Sequence, residues 1–313
     1  RIWRCRVMAL FFGAVLPRYD VEFRKVVDLT VEFEGLGFSS LWMTDHLQPR
    51  RASTVFETWT LLSALAPLTD VRLGTVVLCS CYRHPSVLAK MAATLDVVSG
   101  GRLELGLGTG SESQGEELEA LGMEAWRGLD RFERFREYVE VVRLLMTDGG
   151  LVDYSGKFYR LSKAACNTPC IQKPAPPIWV GGRRSRMVSV AAEVGDGWNF
   201  YGETLEEYGR MVKLFDDKCR QLGRRVVKSV FTNVVIYSSD SEKSERMGRL
   251  GVFSTGDEAL RRTFTLLHGK PDEVVEQLER LQSLGVGLVI VRDMHAEASS
   301  IRVFAKEVMP SFT

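Results

Sequence analysis

Three clusters along the chain combine residue types and spacings that could do chemistry. The first is Thr44-Asp45-His46, which follows an apolar run. An imidazole can donate to a bound ring, or exchange a proton with it, near neutral pH. The neighbouring carboxylate can tune it or bond the ring itself. A lone His more often caps a loop, but its place directly after a strand favours function. The second cluster is Gly106-Leu-Gly108-Thr-Gly110-Ser111-Glu112. Glycines at alternate positions let a backbone pass close to a flat ligand or turn sharply, and Glu112 is a candidate general acid. The spacing is GxGxG rather than GxGxxG, and no strand bearing an acid follows about 20 residues on, which excludes a dinucleotide fingerprint. The third cluster is Gly181-Gly182-Arg183-Arg184, just before a helical pattern. Amides at a helix start, two glycines and two cations can cradle a phosphate; the plainer alternative is a glycine turn with solvated arginines.

Other groups carry less. In Gly195-Asp196-Gly197-Trp198-Asn199 an aromatic and an amide end a strand, with core packing as the plain account of Trp198. Gly269-Lys270-Pro271-Asp272-Glu273 reads as a helix start, with Pro and acids in the first turn. The chain has six cysteines. The spacings Cys79-Ser80-Cys81 and Cys166-x3-Cys170 match no zinc pattern of paired CxxC knuckles, so they read as free thiols of a cytoplasmic protein, with no metal site.

The elements that must position these clusters alternate short β-rich runs with longer amphipathic ones, the pattern of βα units around a parallel sheet. Strands are expected at Val7–Phe12, Ser40–Thr44, Arg72–Leu78, Arg102–Gly108, Ile178–Val180, Gly197–Phe200, Val227–Ile236 and Gly287–Arg292. Helices fall between them: Asp20–Leu36 with Phe23, Val27, Thr30 and Phe33 on one face, Phe56–Leu68, one opened by Pro85, Asp130–Thr147, Ser185–Val194, Thr204–Leu222, Pro271–Leu284 and Ser299–Met309. Val152–Tyr154 and Phe158–Leu161 flank Gly156 as a hairpin. Eight strands with intervening helices argue for one α/β domain, a closed (β/α)8 TIM barrel, with insertions at about 110–129, 151–177 and 238–268. In such barrels the active site lies at the C-terminal strand ends, where all three clusters fall. The 313 residues carry 41 basic and 40 acidic side chains, so no net field favours nucleic acid or an anionic membrane. No apolar run approaches the ~18–20 residues of a bilayer span.

The series Ser40-Leu-Trp-Met-Thr-Asp-His46, Arg83-His-Pro85, Leu95-Asp96, Ser99-Gly-Gly-Arg102, Gly106-x-Gly-x-Gly110, Pro177-Ile-Trp-Val-Gly-Gly182, Gly195-Asp-Gly-Trp198 and Gly269-x-Pro271 resembles the bacterial luciferase-like superfamily, in order and over nearly the whole chain. The Asp45-His46 pair is most similar to the branch that uses coenzyme F420, an 8-hydroxy-5-deazaflavin. That branch includes methylenetetrahydromethanopterin reductases and F420-dependent alcohol and glucose-6-phosphate dehydrogenases. The resemblance implies an F420-dependent oxidoreductase that moves a hydride between C5 of the deazaflavin and a small organic substrate. It implies that Asp45 and His46 meet ring or substrate, that a non-prolyl cis peptide at Val76–Val77 backs the ring, that Gly108 and Gly110 shape the ring site, and that Gly181, Gly182, Arg183 and Arg184 hold the cofactor's phosphate. It also implies a homodimer. Two departures stand out: Ser111 occupies the place where some relatives carry a carboxylate, with Glu112 one residue later, and Lys270 stands where the family often has Thr. The rival readings are an FMN-dependent luciferase-like monooxygenase and a non-catalytic flavin- or deazaflavin-binding barrel.

Overall fold

The computed structural model describes residues 9–49, 52–147, 149–202, 204–249, 267–293 and 297–312. The chain runs through β1 (Phe11–Val15), α1 (Phe23–Gly35), β2 (Ser40–Met43), α2 (Thr58–Leu65), β3 (Arg72–Thr75), β4 (Leu78–Cys79), α3 (Pro85–Val98) and β5 (Leu103–Gly108). It continues with α4 (Glu112–Ala120), α5 (Asp130–Thr147), the pair β6 (Val152–Ser155) and β7 (Arg160–Ala164), β8 (Ile178–Gly181), α6 (Ser185–Val194) and β9 (Gly197–Phe200). Then come α7 (Leu205–Gln221), β10 (Val227–Ile236), α8 (Asp240–Arg249), β11 (Leu267–Gly269), the helix Pro271–Ser283, β12 (Val286–Arg292) and the helix Ser299–Val303.

β1 pairs with β2 and β12, and parallel ladders lead from β2 through β3, β5, β8, β9 and β10 back to β12. The ring of eight strands is therefore closed, a (β/α)8 barrel. β11 extends β10 beyond the point where β9 ends. β6 and β7 form the expected antiparallel hairpin; the Glu137 carboxylate of α5 accepts from the amides of Lys157, Phe158 and Tyr159 and so fastens its turn to the barrel wall. The insertion at 110–129 contains α4, which the sequence pattern did not reveal. That at 151–177 contains the hairpin and a cis Lys173–Pro174 bond. In that at 238–268, α8 is seen and residues 250–266 lie outside the described part.

Two boundaries differ from expectation for physical reasons. β1 lies at Phe11–Val15 instead of Val7–Phe12; Gly13 sits inside the strand, where a Cβ would lie 2.6 Å from the Trp42 indole nitrogen. α1 starts at Phe23, because Asp20 adopts a positive φ and its carboxylate binds Ser53 and Thr54. Its buried face is Val26, Leu29, Thr30 and Phe33, leaving Phe23 at 45% exposed.

The barrel interior is filled by Val15, Trp42, Val76, Trp179, Phe231, Leu288 and Ile290. The two indoles meet edge to face with centroids 5.9 Å apart. A buried indole N–H needs an acceptor: Trp42 donates to Ser40 Oγ at 2.8 Å, and Trp179 to the fully buried Glu104, which also pairs with Arg72. Indoles of this size fit only because the paired position on a neighbouring strand is glycine in each case. A Cβ on Gly74 would lie 2.3 Å from the Trp42 ring, and one on Gly197 2.1 Å from Trp179. Gly74→Ala should therefore cost about 2–3 kcal/mol in urea unfolding, the range for overpacking a core. A change within ~0.5 kcal/mol would show that Trp42 is free to move.

Candidate active site

The end of β2 delivers Thr44, Asp45 and His46 to the C-terminal mouth. Asp45 is 1% exposed, and its carboxylate is fully engaged within the protein. Oδ2 accepts from the Cys79 amide at 3.0 Å and from Arg83 Nη1 at 2.9 Å, and Arg83 also pairs with Glu57. The Asp45 carbonyl accepts from Gln114 Nε2. Asp45 thus fixes the turn after β4, and through Gln114 the start of α4. That start is a capping box: Ser111 Oγ accepts from the Gln114 amide at 3.2 Å, and Gln114 Oε1 from the Ser111 amide at 2.9 Å. Glu112 is the first residue of α4, and its side chain lies outside the described part of the structure.

His46 meets a different acid. Its Nδ1 lies 2.6 Å from Glu117 Oε1 on α4. Glu117 Oε2 accepts from the amides of Leu47 (2.8 Å) and Gln48 (3.0 Å) and from the Tyr82 hydroxyl (3.1 Å). Burial pushes the Glu117 carboxyl up, but the Gln48 amide, the His46 ring and the Leu47 amide outweigh it and hold the group below the usual glutamate range. Burial, with Cys79 and Glu117 nearby, pushes the Tyr82 hydroxyl up, so it stays a donor. An ionised Glu117 takes the Nδ1 proton, which leaves Nε2 of the ring, whose side chain is 29% exposed, for a ligand. Glu117 was missed in the sequence because it sits among Glu112, Glu116 and Glu119, where an acid reads as solvated.

Beside this pair the third barrel strand is broken. Gly74 pairs with Glu104 and Leu78 with Leu107, so four steps on one strand match three on its neighbour, which is a bulge. The peptide Val76–Val77 within it is cis, as the resemblance implied. Thr75 Oγ1 covers the gap in the ladder, donating to the Gly106 carbonyl and accepting from the Gly106 amide, both at 2.9 Å. The glycines around the bulge serve the protein's own packing. A Cβ would lie 1.8 Å from the Thr75 carbonyl oxygen at Gly106, and 2.7 Å and 2.9 Å from Val77 Cγ2 at Gly108 and Gly181. Gly110 has a φ of +85° and turns the chain into the α4 cap. Gly106 and Gly108 of the second cluster therefore admit the Val77 side chain, while Gly110 serves the turn.

The third cluster lies at the start of α6. Arg184 is the N-cap residue, in extended conformation and with no side-chain cap. Arg184 is exposed and Arg183 half-buried. The Gly182 amide is not available to a phosphate, because it donates to the Asn199 carbonyl at 3.0 Å. Gly182 itself is required by packing, since a Cβ would lie 2.5 Å from Met187 Cβ. Trp198 is fully buried and stacks on Phe215, as core packing requires. Across the mouth, Arg292 Nε donates to Asn233 Oδ1 at 2.7 Å, and its guanidinium lies 5.0 Å from the Phe231 ring centroid, with Tyr201 stacked on Phe231. Sequence reading missed this wall because each member is a single polar or aromatic residue at the end of an apolar strand.

The chain and its fold have known relatives. Residues 4–247 match the family model described as luciferase-like monooxygenase. The chain belongs to that family. It is 29% identical over 324 residues to an F420-dependent glucose-6-phosphate dehydrogenase of Segniliparus rotundus, covering 92% of this chain and 93% of that protein. It is 26% identical over 323 residues to a 5,10-methylenetetrahydromethanopterin reductase of Archaeoglobus fulgidus, with 88% and 92% covered. A solved F420-dependent secondary alcohol dehydrogenase in complex with an F420-acetone adduct shares the fold, with a TM-score of 0.83 at 18% identity over 98% of this chain and all of that one. Within the luciferase-like fold, this chain places a His–Glu pair and an uncapped, arginine-flanked helix start around one barrel mouth. Among the described residues no helix is long and apolar enough to cross a membrane.

The Glu117 assignment has a pH signature. A carboxyl whose folded pKa lies below its unfolded value contributes stability above the unfolded pKa, and that contribution fades as pH falls through the folded value. Wild type should exceed Glu117→Gln by about 2 kcal/mol at neutral pH, and the gap should close as pH drops below the ordinary glutamate value of 4.5. Chemical denaturation of both proteins at several pH values measures this, and a gap independent of pH would show that Glu117 is not a charged hub.

Proposed function

We propose that this chain is an F420-dependent oxidoreductase transferring a hydride between C5 of the deazaflavin and a small organic substrate. The observation that carries the reading is the His46–Glu117 pair at the end of β2. It supplies a proton-exchanging nitrogen of fixed orientation at the barrel mouth, in a fold shared with a dehydrogenase solved in complex with an F420-acetone adduct. When bound, the deazaflavin supplies a two-electron hydride donor or acceptor. His46 holds or moves a proton at Nε2 against the substrate oxygen, and Glu117 holds the ring orientation through Nδ1. Asp45 acts by positioning, through the turn after β4 and Arg83.

The residues present fit such a cofactor. The start of α6 has no side-chain cap, so its amides and dipole favour an anion, and Arg183 and Arg184 flank it. The convex bulge at Val76–Val77, backed by Gly106, Gly108 and Gly181, offers an apolar surface to a planar ring. Glu112 is retained as a further acid of the reaction. An FMN-dependent monooxygenase is the second reading, favoured by the description of the matching family. We also read the chain as a cytoplasmic homodimer, since Val87, Val97 and Val98 on α3 leave apolar side chains exposed; a monomeric mass by light scattering at micromolar concentration contradicts the dimer.

Titration of the purified protein with F420 and with FMN separates the two cofactor readings. F420 should bind at least tenfold more tightly, a difference of ~1.4 kcal/mol, and equal or reversed affinities transfer the chain to the monooxygenase reading. Arg184→Glu tests the phosphate site more cleanly than any change at Gly182, which would also displace α6. It should weaken F420 binding by about tenfold or more while the melting temperature holds, because an acid at a helix start suits the dipole. Undiminished F420 affinity would remove Arg184 from the site.

A further inference from the structure

A second polar group lies at the mouth, outside the His46–Glu117 pair. Arg18 follows β1 and is 1% exposed. Its Nη1 donates to the Phe56 carbonyl at 2.7 Å and its Nη2 to the Tyr19 hydroxyl at 2.8 Å, while Nε is buried without a partner. The Tyr19 hydroxyl in turn lies 3.2 Å from Thr44 Oγ1. Among the described residues no carboxylate pairs with Arg18. Glu57, next to the Phe56 carbonyl, is taken up by Arg83 and by the amides of Trp59 and Thr60. Asp20 is taken up by Ser53 and Thr54.

The donor count has a consequence. A guanidinium only donates, so neither hydroxyl can pass its proton to Arg18. Tyr19 and Thr44 carry one hydroxyl proton each, and their mutual bond uses one of them whichever way it runs. One proton is therefore left over, on Tyr19 or on Thr44, and among the described residues neither hydroxyl has a further acceptor. Thr44 directly follows β2 and precedes Asp45 and His46. Arg18, whose guanidinium also lies 4.5 Å from the Tyr19 ring centroid, has no carboxylate partner among the described residues. A spare hydroxyl donor beside such a buried cation suits an oxygen acceptor that carries negative charge.

We propose that Tyr19 and Thr44, polarised and oriented by Arg18, form a subsite for a carboxylate of the substrate, so that the substrate is a small organic acid. This rests on the reading of the barrel mouth as the substrate site. Tyr19 and Thr44 would touch the carboxylate; Arg18 is a positioning residue that acts through them.

Fluorine NMR titration of the full chain with trifluoroacetate and with trifluoroacetamide tests the subsite without cofactor. The two probes are alike in shape and differ in charge. Wild type should prefer trifluoroacetate, and the double variant Tyr19→Phe/Thr44→Val should lose about tenfold of that preference. Thr44→Ser, which keeps the hydroxyl, should retain it. A merely structural role for the hydroxyls would lower the melting temperature and leave the ratio of the two affinities unchanged. If the double variant does not fold, the ratio in Tyr19→Phe decides, with a loss of about threefold expected. No preference in wild type, or a preference that survives the hydroxyl deletions, overturns the proposal. The F420 reading fails separately, if F420 fluorescence is unchanged by wild-type protein whatever trifluoroacetate does.

Discussion

The mouth of this barrel is organised around one charge held away from water. A carboxylate as buried as Asp45 is tolerable only when ion-paired and hydrogen-bonded, because the desolvation cost of a lone ion is several kcal/mol. Arg83 and the Cys79 amide meet that requirement, and each comes from a different element. Arg83 immediately precedes the His84 cap of α3, and Cys79 closes the strand that resumes after the bulge. The main chain at the same residue takes Gln114 from the cap of α4. One buried ion pair thus locks the end of β2, the turn after β4 and the start of α4 into a single arrangement, and the helix so placed carries Glu117 to His46.

Space is the second constraint. The bulge adds one residue to the third barrel strand, and its displaced Val77 must go inward, over the neighbouring strands. Gly106, Gly108 and Gly181 accept it, just as Gly74 and Gly197 accept the two indoles one layer lower. Close packing leaves no slack for a Cβ at these points. Glycines that look like a ligand-binding loop in the linear sequence are therefore also part of the scaffold.

The electrostatics of the mouth are asymmetric. On the β2 side, acids and bases are matched in hydrogen-bonded pairs, His46 with Glu117 and Asp45 with Arg83. On the β1 side, Arg18 has no acid partner among the described residues, and the arginines at the start of α6 add further positive charge. Neutral paired groups suit proton exchange, while an excess of positive charge suits anionic ligands.

The barrel itself was legible in the sequence, because strands buried on both faces and helices buried on one leave periodicities of their own. So was the position of His46 at a strand end, and so, through family motifs, was the bulge at Val76–Val77. What the linear pattern could not carry is pairing between residues far apart in the chain. His46 and Glu117 are 71 residues apart, Asp45 and Arg83 are 38, and each reads alone as an ordinary loop or helix charge. The same holds for Gly108 and Gly181, whose lack of a side chain has meaning only once Val77 is seen against them. Composition and periodicity report which face of an element is buried. They do not report which partner it meets there, and at this mouth it is the partner, Arg83 for Asp45 and Glu117 for His46, that sets what each side chain can do.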